Sequence, residues 1–137
     1  MRRHEQREQL FKLLFRVEFN KPEEMPEQVK LFFQDDEVEY TETVMEAIQN
    51  KFLAIQEKMQ EIDALLNEKA EGWNVDRMGK VELTTLRIAV YEMLFDESIP
   101  ETVAINEAIE IAKKYGQEAS GSFVNAVLAK FVKKQEA

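Results

Sequence analysis

Apolar residues recur along this chain at steps of three and four, the spacing that puts them on one face of a helix. No alternating Val/Ile/Thr-rich run marks a strand, and only three prolines and four glycines interrupt the pattern. The pattern predicts an all-α chain. A first helix runs from about Arg3 to Phe19, with Leu10, Leu13, Leu14 and Val17 as its core stripe. Arg3, Arg7, Phe11 and Phe15 form a second line on it, basic at one end and aromatic at the other. Glu8, Lys12 and Arg16 form a third line in favourable charge order. A polar loop, Glu18–Met25, leads to Pro26, a residue suited to a first helical turn. A short helix over about Pro26–Gln34 carries Val29, Phe32 and Phe33.

From Thr41 the pattern becomes long and regular. Ile48, Phe52, Ile55, Met59, Ile62 and Leu66 make a bundle seam. Nothing breaks it before Gly72, although a kink near Glu57–Met59 would let the run fold back on itself. Glu71–Gly79 holds two glycines and the only Trp. It divides a single domain, 1–137, into two helical halves of about 1–70 and 73–137. The next helix, about Val81–Phe95, is apolar on most sides and belongs in the middle of the domain. Two further helices follow. One carries Ile105, Ala108, Ile109, Ala112 and Tyr115 on a face; the other carries Phe123, Val124, Val127, Leu128 and Phe131. Gly116 is placed for a left-handed helix stop, and Ser120 or Ser122 for the next cap. Asn106 and Asn125 lie among these apolar residues, with hydrogen bonds to backbone at helix ends as their expected role.

Composition narrows the chemistry. The absence of Cys excludes disulfides and thiolates and suits a reducing, cytoplasmic compartment, and a single His rules out a His-based metal cage. No apolar run approaches the ~20 residues of a membrane span. The start, MRRHEQREQ, has no apolar segment behind its basic residues, unlike a secretory signal. The net charge of −9 argues against nucleic acid until its distribution is read. Residues 1–16 hold five basic and two acidic side chains, and residues 113–137 hold five basic and two acidic, each a net of +3. Residues 17–112 hold 8 basic and 23 acidic. If the two basic ends meet, they make a positive patch on an acidic body, and local field decides where a phosphate backbone docks.

Candidate catalytic groups have little to stand on. Asp35–Asp36–Glu37 lacks the glycine and spacing of a calcium loop and reads as a solvated turn. His4 beside Glu5 sits at a terminus, where nothing orients an acid–base pair. No phosphate-cradling glycine loop, nucleophile elbow or HExxH motif is present, so no enzyme, metal or cofactor is expected. Cations interleaved with rings, as in Arg3/Arg7/Phe11/Phe15, suit single-stranded RNA, where charges neutralise phosphates and rings stack on splayed bases. The same Phe11 and Phe15 also suit a core. Tyr115 and Phe123, at an interhelical turn, divide between core and exposure in the same way. Lys133 and Lys134 read as a solubilising tail.

The runs LRIAVYEM (Leu86–Met93), IPETVAINEAIEIAKKYG (Ile99–Gly116) and SFVNAVL (Ser122–Leu128) resemble the bacterial NusB family of transcription antitermination factors. REQLFKLLFRVEF (Arg7–Phe19), Trp73 and GKVEL (Gly79–Leu83) fit as well, so the resemblance spans nearly the whole chain. It implies a compact bundle of about seven helices in two packed halves. It also implies binding of a single-stranded boxA RNA jointly with the ribosomal protein NusE, promoting read-through in ribosomal RNA operons with RNA polymerase and other Nus factors. By resemblance the RNA-facing residues are Arg2, Arg3, His4, Arg7 and Phe15, with Tyr115, Gln117, Ser122 and Phe123, and the partner-facing surface includes Glu82. The chain departs from the family pattern at Glu5, where another Arg is common, at Phe15 for a frequent Tyr, and at Ala119, often acidic. The alternative is an acidic protein–protein adaptor whose RNA contact is incidental. For the free chain, monomer and homodimer both stay open.

Overall fold

The computed structural model describes residues 1–35 and 37–133. Among them are six α-helices: α1 (Arg3–Phe15), α2 (Met25–Phe33), α3 (Glu42–Lys69), α4 (Lys80–Phe95), α5 (Glu101–Tyr115) and α6 (Ser120–Ala129). Two short 3₁₀ turns, Arg16–Phe19 and Pro22–Glu24, link α1 to α2. The chain is thus all-helical, with six α-helices against the expected seven or so. The difference lies in α3. No Gly or Pro interrupts Glu42–Lys69, so the backbone stays helical through residues 57–59. The chain divides inside this helix into two compact units, Met1–Gln56 and Glu57–Ala137.

In the first unit, α1 begins on a one-sided cap made by the side chain of Glu5. The Arg2 N–H donates to the Glu5 carboxylate at 2.8 Å, supplying one of the partners that a helix start leaves wanting. The helix ends four residues earlier than its periodicity suggests. The tighter turn Arg16–Phe19 follows, and the Asn20 amide donates to the Arg16 carbonyl at 2.8 Å. Leu10, Phe11, Leu13 and Leu14 are buried, whereas Val17 is only half-buried in that turn. Met25, Val29 and Phe32 of α2 and Ile48, Phe52 and Ile55 of α3 are also buried. The Arg16 guanidinium lies 5.2 Å from the Phe32 ring centre and donates to Gln28 Oε1 at 3.0 Å. The Tyr40 hydroxyl donates to Gln9 Oε1 at 2.8 Å and its ring meets Phe33 edge-on, 5.1 Å between centres. Burial raises the Tyr40 pKa above 10.0, the Asp35 charge adds to this, and Arg16 opposes it.

In the second unit, α4, α5 and α6 pack on one another. Their shared core includes Leu86, Val90, Ala104, Ala108, Ala112, Val124, Val127 and Leu128, together with Ile62 and Leu66 from α3. Ile105 and Ile109 are only partly buried against it. The buried residues of α5 are Ala104, Ala108, Ile111 and Ala112. The apolar α4 also buries polar groups. Thr84 and Thr85 bond back to the carbonyls of Lys80 and Val81, both at 2.8 Å. Arg87, 6% exposed, forms a fork with Asp63 of α3 at 2.9 and 2.7 Å.

Two local expectations change. Gly116 ends α5 with φ −103°, in extended backbone; the left-handed glycine is Gly72, at φ 82°. Gly116 is needed for space, because a Cβ there would stand 2.5 Å from Ser120 Oγ and 2.7 Å from the Ala112 carbonyl. Asn106 and Asn125 lie within α5 and α6 rather than at their ends, and both are exposed. They occupy the outer faces of amphipathic helices.

Candidate nucleic-acid interface

The residues expected to face RNA fall on both units. In the first, Arg2, Arg3 and His4 are exposed at the start of α1. Arg7, one turn further, is buried to 8% exposure. Its aliphatic stem therefore contributes to packing as well as its charge to the field. His4 Nε2 stands 3.0 Å from Glu8 Oε2 on the same helix. Phe15 is half-buried in a ladder of rings, 5.8 Å from Phe11 and 5.2 Å from Phe19 between centres. Phe11 belongs to the core at 3% exposure, while Phe19 is 60% exposed. The periodicity concealed Phe19, because the 3₁₀ turn swings it out of the stripe that a continuous α-helix would have given it.

In the second unit, Tyr115 closes α5 half-buried, with Lys114 Nζ 5.4 Å from its ring centre. Gln117 and Ser122 are exposed, and Phe123 is half-buried. Phe123 meets Trp73 edge to face, with 5.5 Å between ring centres and 70° between planes. Gln117, Phe123 and Trp73 border a cavity of ≈ 340 Å³ whose lining also includes Glu82 and Ser120. The cavity therefore brings Gln117 and Phe123, expected to face RNA, together with Glu82, expected to face a protein. Tyr115 and Ser122 are not part of its lining.

Its polar side is held in place by α6. Ser120 is 3% exposed; its hydroxyl oxygen accepts from the Gln117 N–H at 2.9 Å, and its O–H donates to Glu82 Oε2. Neither serine caps α6, whose N-cap is Ala119; Ser120, at its first residue, instead closes the α5–α6 turn behind it and aims the Glu82 carboxylate. Trp73, 51% exposed, is given no RNA or partner role by the sequence, which marks it as the lone Trp of a glycine-flanked boundary and as a residue that fits the family pattern.

Among the described residues, no group of three His, Cys, Asp or Glu could hold a metal ion. No helix is long and apolar enough to cross a membrane. Asp36, from the acidic run, and Lys134, from the basic tail, lie outside the described residues.

The sequence relations of the chain agree with this geometry. Residues 4–133 match the model of the NusB family. The transcription antitermination protein NusB of Agathobacter rectalis is 50% identical over 131 residues, 96% of this chain and 99% of that one. The fold matches T. maritima NusB with a TM-score of 0.86 at 36% identity, covering 98% of this chain and 92% of that one. It also matches a structure of the antitermination factors NusB and NusE in complex with dsRNA, with a TM-score of 0.81 at 26% identity, covering 97% and 98%. Matched by the family model over residues 4–133 and half identical to a NusB over nearly its whole length, the chain belongs to the NusB family of transcription antitermination proteins.

Proposed function

We propose that this chain binds a boxA-like single-stranded RNA together with the ribosomal protein NusE, and so promotes read-through of ribosomal RNA operons. The observation that carries this is its likeness, over nearly the full length, to a NusB solved with NusE and RNA. RNA polymerase and the other Nus factors enter through that complex. The role is one of binding, in the cytoplasm, with no catalytic step and no cofactor. The six helices serve as a single NusB-like domain.

On this chain the RNA-facing set is Arg2, Arg3, His4, Arg7 and Phe15 with Tyr115, Gln117, Ser122 and Phe123. Exposed Arg2 and Arg3 supply phosphate contacts, and the ring ladder ending at Phe19 supplies stacking faces. Glu82 joins the partner-facing set, as an acceptor for a basic protein.

RNA binding measured with and without NusE across a salt series tests this. Affinity should rise with NusE and fall with salt, each phosphate contact adding about 0.7 to the slope for a single strand. NusE capture with no RNA protection, even in the complex, would replace this function with that of a protein adaptor.

A further inference from the structure

Between α2 and the start of α3, within the first unit, lies a cavity of ≈ 380 Å³. Pro26, Val29 and Phe33 of the α2 side and Met45 of α3 give it apolar walls, and Gln34 and Gln49 add polar lining. None of the residues assigned above to RNA or to NusE lines it. The α2 wall is fixed from behind. Phe33 meets Phe32 edge-on at 5.2 Å and Tyr40 edge-on at 5.1 Å between ring centres, and the Tyr40 hydroxyl is tied to Gln9. Met45, on the α3 wall, is unbranched, and such a side chain adapts to what it meets. The groove is therefore preformed on one side and adaptable on the other. Its volume suits one large apolar side chain.

Charge decides what brings that side chain. Residues 22–50 hold nine acidic side chains and one basic, almost the whole net charge of the chain. On α3, Glu42 and Glu46 each stand three residues before a groove residue, Met45 and Gln49 respectively, so they border the groove on the same helical face. Both are exposed. The one base, Lys30, lies in the lining on α2, and Glu27, three residues before it, offsets its charge. A field of this sign repels nucleic-acid phosphates and anionic lipid headgroups and attracts Lys and Arg. An apolar groove flanked by carboxylates fits a protein segment with an apolar anchor and basic neighbours. An amphipathic helix presents both on adjacent turns.

We propose that the α2–α3 groove is a second protein-docking surface, which takes one large apolar side chain from a basic amphipathic helix while Glu42 and Glu46 pair with the Lys or Arg residues beside it. The inference goes beyond the RNA- and NusE-dependent function and does not rest on it. It gives the acidic part of the chain a partner of its own.

The six methionines, isotope-labelled in their methyl groups, supply the readout by NMR: Met45 lines this groove, and Met78 lines the cavity beside α6. The probe is a synthetic helical peptide with a Leu face flanked by Lys; peptides with Ala for Leu and with Glu for Lys are its controls. The full chain is titrated alone and in complex with NusE and boxA-like RNA. The Met45 signal, identified by its loss in Met45→Leu, should shift with the Leu/Lys peptide in both samples while Met78 stays in place. Glu42→Lys combined with Glu46→Lys should weaken peptide binding about tenfold, and the two control peptides should each lose about as much. No Met45 shift with the Leu/Lys peptide overturns the proposal. So does binding that survives the charge reversal or moves all the methyl signals alike, which is unspecific adhesion to an acidic chain. A Met45 shift with RNA alone or with NusE alone assigns the groove to that ligand and overturns the second partner. A Met45 shift on concentrating the free chain assigns the groove to a second copy, with the same consequence.

Discussion

The start of α1, in the first unit, and the cavity beside α6, in the second, present different physics. Arg2 and Arg3 are exposed, lie at the first residues of a helix, and act through charge over distance. Their positions need no accuracy, because a phosphate can be met by many rotamers. The cavity works by shape. Trp73 is held edge to face by Phe123, and Glu82 is aimed by Ser120, which is itself oriented by the Gln117 N–H. Contacts of the first kind are screened by salt; contacts of the second kind depend on shape, which salt leaves largely untouched.

The strongest way to break the contrast is to loosen α6. Leu128 is fully buried, so Leu128→Ala should cost about 2–5 kcal/mol in urea unfolding, lost packing and residual cavity together. Gly116→Ala is more local. Its Cβ would stand 2.5 Å from Ser120 Oγ, so about 1–3 kcal/mol of stability should be lost. The displaced hydroxyl would free the Glu82 carboxylate, while the salt slope of RNA binding stays as it was.

The opposite signature is expected at α1. Replacing Arg2 and Arg3 by Ala should shift thermal stability by under about 0.5 kcal/mol and reduce the salt slope by roughly 0.7 per lost contact. Arg7 is a poorer choice for this test, because at 8% exposure its truncation also removes packing. The smallest effect concerns pH. The Tyr40 pKa is raised above 10.0, chiefly by burial, so the unfolded chain releases this proton first as pH climbs. The contribution of Tyr40 is complete below about pH 10 and is lost as pH rises through its folded pKa. Tyr40→Phe should flatten that alkaline decline. A share should remain from Tyr91, which burial and the Asp96 and Glu57 charges shift the same way.

Helical class, the seam of α3 and the α4–α6 core were all legible in the chain, because a 3.6-residue period projects directly onto a buried face. Ile48, Phe52, Ile55, Ile62 and Leu66 are buried as their spacing requires, while Met59 of the same seam is only half-buried. The errors fell where period alone is silent. On α5, Ala108 and Ala112 are buried as expected, but Ala104 joins them while Ile105 and Ile109 are only partly buried. At the end of α1 a tighter turn replaced the last α-turn and exposed Phe19. Gly116 was read for its backbone freedom, but the space it leaves for Ser120 is what the fold uses.

By itself, the sequence determined what each helix is made of: the apolar stripes, the basic lead at Arg2 and Arg3, and the family motifs from Leu86 to Leu128. Those are properties of residues close along the chain, governed by local geometry and charge. Only the tertiary structure decided that Trp73, Glu82, Gln117, Ser120 and Phe123, drawn from two turns and two helices, line one cavity. No period in the sequence encodes that meeting, because it depends on how α4, α5 and α6 cross and on a hydroxyl that bonds across 38 residues.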